Sequence, residues 1–288
     1  MGWRAQAAKG FYRTRHIDAV GCFAYANGSA GQYTQYGRKW TRDETILALG
    51  LYFQIPFAKI SSRNQEIRKL AQLMKRSPAS LSMKMDNLGR FDETLAQKGI
   101  SGLKNGSKSE KEIWDEFVGR RDVLSEEYSR LRSRLVGHET VDDDVIIKTP
   151  QGLDGVRLSK YRINQSFFRT SVLSAYDNTC CITGIAIPKL LVASHIKPWA
   201  ECTDGNERTD TQNGLCLNSL HDRAFDKGLF TLDDDCRIVL SSVLKDATPR
   251  EVYLRYFLQY EGRQIALPDR GKPSVEFLGY HRERIFVG

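Results

Sequence analysis

Two of the five histidines in this chain fall within one stretch of 35 residues, 194–228. It opens with SHIKPW and, after a polar loop, continues as NGLCLNSLHDRAFDKG. His195, Asn213 and His221 follow one another there, and Asp222 and Asp226 lie beside and just beyond the second histidine. Cutting a phosphodiester requires a base for water, a cation to take up charge on the phosphate and the leaving oxygen, and a partner that orients the base. Histidine titrates near neutrality and serves as the base. An asparagine amide offers donors and an acceptor with which to brace a loop.

The elements that must position these groups are readable nearby. Ser159 to Tyr176 has the apolar face of a helix, with Tyr161, Phe167, Phe168, Val172 and Leu173. Short strands are expected at Cys180 to Thr183, Leu190 to Ala193 and Leu215 to Leu217, with an irregular loop from Lys197 to Gln212 between the last two. Leu220 to Lys227 reads as a helix with Gly228 at its end. Phe230 to Leu232 and Ile238 to Leu240 flank an Asp-Asp-Asp turn as a hairpin. On this reading His195 ends a strand, Asn213 opens the next, and His221 lies in the first turn of a helix, its ring facing the same cleft. Asp226 is about one turn on.

SHIKPW, NGL and LHDRAFDKGL, with the lead-in QSFFRTSVLSAYDNTCCITG, resemble one branch of the HNH endonucleases. The resemblance runs from about Val156 onward and is densest from Ala193 to Leu229. It implies a two-stranded hairpin and a helix folded around one metal ion, and products with 5′-phosphate and 3′-hydroxyl ends. By position it gives His195 as general base, Asn213 as the brace of the loop and His221 as the third motif residue. His221, Asp226 and Asp222 are then the expected metal ligands, Asp226 ahead of Asp222. The expected cofactor is a divalent ion, Mg²⁺ first, with Mn²⁺, Ni²⁺ or Zn²⁺ as alternatives. One departure stands out. Many members carry Asp or His immediately before the base, where this chain has Ser194, and a hydroxyl is a poor Mg²⁺ ligand.

The six cysteines include no C-x-x-C pair, so a four-thiolate zinc site is not expected and the thiols read as reduced packing residues. No run of ~18 apolar residues occurs, nor the apolar core of a secretory signal, and a cytoplasmic location is expected. The net charge is +8, which favours polyanionic partners. Eight basic residues against two acids lie between Lys59 and Arg90. There EIRKLAQLMKRSPASLSMKMDNLGRF resembles a helix-turn-helix, with Lys75 and Arg76 expected on phosphates and Ser80, Lys84 and Asn87 facing the major groove.

The expected fold class is α+β: an N-terminal all-α, helix-turn-helix-like domain followed by a nuclease domain of the HNH type. The expected boundaries are a poorly structured leader at 1–38, a helical DNA-binding or sensing domain at 39–136, a linker at 137–156 and the nuclease domain at 157–288. The helical part should begin at Thr41, whose pairing with Glu44 makes a capping box. The expected function is metal-dependent cleavage of double-stranded DNA. A homodimer would supply two cuts, and the resemblance adds restriction or phage defence as a setting. Two alternatives remain at this stage: a DNA-binding regulator with an inert nuclease fold, and a nuclease whose helical half senses a ligand.

Overall fold

Sixteen regular helices and strands are arranged in a computed structural model that describes residues 38–99, 107–137 and 153–288. The expected leader lies outside the described residues apart from Arg38, as does most of the expected linker. The described residues all fall within one compact unit.

The helical half begins where the capping box predicts. Thr41 accepts from the Glu44 amide, the Glu44 side chain accepts from the Thr41 amide, and α1 runs Arg42–Gln54. Its residues 45–53 are all buried, so it is the central helix, apolar on every side. Gly50 is needed there because a Cβ would overlap the Tyr128 ring. Around it pack α2 (Gln65–Leu73), α3 (Pro78–Gly89), α4 (Glu93–Gln97), α5 (Lys108–Phe117) and α6 (Arg121–Val136). Tyr52, Phe53 and Trp114 meet edge-on or tilted at the centre of this core.

The long helix α7 (Leu153–Ala175) divides its apolar residues between two cores. Phe167 belongs to the first and Phe168 to the second. Beyond it come β1 (Leu191–His195), α8 (Gly205–Thr209), β2 (Gly214–Asn218), α9 (Ser219–Asp226) and the hairpin β3 (Phe230–Leu232) and β4 (Ile238–Leu240). The chain continues through α10 (Ser242–Ala247), α11 (Arg250–Tyr256) and α12 (Val275–Arg284). β1 and β2 are antiparallel, with Ser194 opposite Leu215 and His195 opposite Gly214; β3 and β4 form a second two-stranded sheet. The expected strand at 180–183 is a turn instead, tied to the sheet by the Cys181 amide donating to the Cys216 carbonyl (2.8 Å). Cys180, Cys181, Cys202, Cys216 and Cys236 are all free and buried.

α2 and α3 are both helical, Asn64 capping the first and Ser77 the second, with Pro78 in the first turn of α3. The DNA-facing assignment does not hold for two of its residues. Arg76 is buried, paired with Glu44 at 2.7 Å, bonded to the carbonyls of Arg38 and Lys39 and stacked over Trp40. Lys84 is buried against Glu110 and the same Trp40 ring. A cation sunk beside its own carboxylate is already neutralised and cannot also meet a phosphate. Lys75 is exposed, Ser80 and Asn87 are half-buried, and the exposed positions of α3 are Ala79, Met83 and Asp86.

Candidate active site

The site is built where β1, β2 and α9 meet. β2 can lie against α7 only because position 214 is glycine: a Cβ there would overlap Val172 Cγ2 and touch the Phe168 ring. Opposite Gly214 stands His195, half-buried, its ring stacked on Phe168 at 3.8 Å between centroids with 14° between planes. Trp199 closes the other edge of the imidazole at 5.6 Å.

His195 Nε2 lies 3.0 Å from the Arg208 carbonyl. A carbonyl only accepts, so Nε2 carries the proton and Nδ1 keeps its lone pair. Burial pushes the imidazole below its ordinary value of 6.5, against the pull of that carbonyl. The ring is therefore neutral at pH 7 and set in one tautomer.

The loop that supplies the carbonyl is held by Asn213, which is fully buried. Its Oδ1 accepts from the Lys197 amide at 2.7 Å. Its Nδ2 donates to the carbonyls of Lys197 (3.1 Å) and Glu207 (3.0 Å), with Cys202 Sγ at 3.5 Å. Glu207 is the neighbour of Arg208, so the amide fixes the segment that fixes the base. Lys197 and Arg208 themselves are occupied within the loop: Lys197 pairs with Glu207 at 2.7 Å, and the Arg208 guanidinium bonds the carbonyls of Trp199 and Cys202.

His195 shares a cleft of about 380 Å³ with Ser194, Asp222, Asp226, Arg223 and Lys227. Asn218 caps α9 by accepting from the Leu220 and His221 amides, which sets the turn on which both aspartates stand. Burial raises both carboxyls above their ordinary value. For Asp222 the Ser194 hydroxyl and Arg223 pull the other way; for Asp226 the charge of Asp222 adds to the rise. Ser194 Oγ, although it eases Asp222, meets no hydrogen-bond partner at normal geometry and is buried. Two neighbouring carboxylates, each held above its ordinary value by burial, and a buried hydroxyl line one cleft. That donor chemistry fits a hard divalent cation, for which one or two carboxylates and retained waters suffice.

His221 does not join them. It is buried, its Nε2 donates to the Tyr256 carbonyl at 2.9 Å, and its Nδ1 accepts from Asn218 Nδ2 at 2.9 Å. With both ring nitrogens engaged it has no lone pair for a metal, and its expected place in the cleft and in the ligand set is corrected. Among the described residues no group of three or more His, Cys, Asp or Glu side chains is gathered as a metal site. His281, on α12, is also buried at the back of the cleft, stacked on Phe225 and bonded to the Phe225 carbonyl and to Thr231; burial pushes it down to about 4.

Sequence reasoning missed the Phe168 platform, the Arg208 carbonyl and Trp199. Phe168 and Trp199 lie in the QSFF and SHIKPW segments already singled out, whereas a backbone carbonyl leaves no mark in a sequence.

Two antiparallel strands and a helix thus frame a neutral histidine and a pair of carboxylates. Residues 180–233 match the family model described as HNH endonuclease. Members of that family are generally nucleases. No curated protein matches the chain. No helix among the described residues is long and apolar enough to cross a membrane.

Proposed function

We propose that this chain is a metal-dependent DNA endonuclease in which His195 is the general base. Water attacks the scissile phosphate as its proton passes to His195 Nδ1; the P–O3′ bond breaks, the leaving 3′-oxygen takes a proton from solvent, and Nε2–H stays on the Arg208 carbonyl and holds the ring in plane. Asp222 and Asp226 are the residues that would hold the divalent ion, with Ser194 bonding a water beside it. Such an ion, when bound, takes up charge on the phosphate and on the leaving oxygen. Arg223 on α9 and Lys227 just beyond its end, both exposed and lining the cleft, bind phosphates flanking the cut. Contact by the helical half rests on Lys75, with Ser80 and Asn87, and no longer on Arg76 or Lys84.

The observation that carries this reading is the 3.0 Å approach of His195 Nε2 to the Arg208 carbonyl, which leaves Nδ1 unprotonated on a ring that lines the same cleft as Asp222 and Asp226. The test is nicking of supercoiled plasmid with Mg²⁺ or Mn²⁺ by the wild-type chain, His195→Ala and Asp226→Asn. Cleavage by the wild type and loss in both variants supports it. Cleavage that survives His195→Ala, or is unaffected by chelation, overturns it. The reading as an inert fold draws on Ser194 standing where the family often has a ligand, and predicts DNA binding with no nicking under any metal.

A further inference from the structure

The element that holds the His195 ring is itself held by the helical half, and the residue at that junction is Arg121, the first residue of α6. It is buried, at 7% exposure. Its guanidinium lies over the Phe53 ring of α1 at 4.4 Å. Nη1 donates to Thr211 Oγ1 at 2.8 Å, Nε lies 4.0 Å from the Asp210 carboxylate, and the Arg121 amide donates to Asn206 Oδ1 at 3.4 Å. Asn206, Asp210 and Thr211 bracket the short stretch that contributes the Glu207 carbonyl to Asn213 and the Arg208 carbonyl to His195. The next residue of α6 presses on the same stretch, since a Cβ on Gly205 would overlap the Asp122 carboxylate. α6 also reaches the floor of the ring, because Ser125 bonds Asn164 on α7, the helix that carries Phe168.

A buried cation with one N–H unpartnered is costly to the fold. Here it ties the core of one half to the one loop that fixes the base of the other. We propose that Arg121 is a positioning residue for His195: through Asn206, Asp210 and Thr211 it holds the 206–211 segment in the register that brings the Arg208 carbonyl to Nε2. This rests on the reading of His195 as the base. It extends that reading, because the helical half then sets the competence of the site as well as any contact with DNA.

The test follows the ring nitrogens of the full-length chain labelled with ¹⁵N-histidine, His195 being assigned by His195→Gln. The variants are Arg121→Gln and the isosteric Thr211→Val, which keeps the arginine and removes its acceptor. Arg76→Gln, a buried arginine at the far side of the helical half, is the control for a purely structural loss. The expected result is one Nε2–H tautomer for His195 in the wild type and in Arg76→Gln, and a mixture of tautomers in Arg121→Gln and Thr211→Val. Plasmid nicking by these two should fall roughly 10- to 100-fold in kcat with KM little changed, the size expected of a displaced catalytic group. A wild-type His195 spectrum in Thr211→Val overturns the proposal, as does an equal change in Arg76→Gln. Should Arg121→Gln fail to fold, Thr211→Val decides alone. The ring spectrum needs no substrate: a fixed tautomer that depends on Thr211 in a protein that does not nick DNA would reject the nuclease reading and leave the coupling standing.

Discussion

Replacing Asn213 tests the site at its most constrained point. The side chain is fully buried and serves one amide and two carbonyls of the loop. Asn213→Ala removes all three bonds at once. A backbone group left without a partner in a buried setting costs about 1–3 kcal/mol. Lys197 and Glu207 are half-buried, so water can reach part of the gap, and the expected loss is about 3 to 5 kcal/mol in all. Asn213→Asp keeps the acceptor for the Lys197 amide but turns an oxygen toward two carbonyls. Its carboxyl should be driven upward in the folded state, so the penalty is full at neutral pH and shrinks as pH falls through the raised value. Urea unfolding followed by tryptophan fluorescence, at pH 5 and pH 7.5, reads both effects. Because the loop orients His195, nicking at a temperature where the variants remain folded should fall much further than stability does. A loss under about 1 kcal/mol for Asn213→Ala, or an Asp variant more stable at pH 7.5 than at pH 5 relative to wild type, would refute the account of Asn213 as the clamp.

His281 should make the fold sensitive to acid. Its folded value of about 4 lies below the ordinary 6.5, so the stability it contributes is whole above pH 6.5 and is lost as pH falls toward 4, about 3 kcal/mol across that window. The difference in unfolding free energy between wild type and His281→Gln should track this slope, and parallel pH curves would contradict it. Gly214→Ala should cost about 1–3 kcal/mol by driving a methyl into Val172 and Phe168, and should shift the His195 ring signals because residue 195 is its cross-strand partner. Lys84→Met should destabilise by about 1–3 kcal/mol by taking from buried Glu110 one of its two cations, Arg90 remaining at 3.1 Å, and leave DNA affinity unchanged, whereas Lys75→Ala should do the reverse; thermal melts and binding at several salt concentrations separate the two.

Several local signals in the sequence were faithful, although the short apolar run at 180–183 was not, being a turn. The Thr41–Glu44 box, Ser77-Pro78, the β3–β4 hairpin and the end of α9 at Gly228 (φ +66°) are all set by residues within a turn of one another. The His195 and Asn213 geometry was also legible, because strand, loop and strand lie within about two dozen residues. What else failed depended on distant partners. Nothing near Lys84 announces Glu110, 26 residues on, and nothing near His221 announces the Tyr256 carbonyl, 35 residues on. Counting positive charges between Lys59 and Arg90 could not tell which side of each helix faced inward. α12 escaped notice because its apolar face is narrow, Phe277, Leu278 and His281 being its buried residues.

The five described thiols all lie in the C-terminal half, beyond α7, and desolvation lifts Cys202 to about 11 and Cys216 to about 12. A thiol so protonated and enclosed reacts with an alkylating reagent only when its surroundings open. Once Cys22 is replaced, the rate at which a maleimide consumes these sulfurs becomes a clock for transient opening of that half alone, with the helical half silent in the same experiment. Bound oligonucleotide or divalent ion should slow that clock at Cys202, which touches the Asn213 amide, before it slows it at Cys236 in the β3–β4 turn.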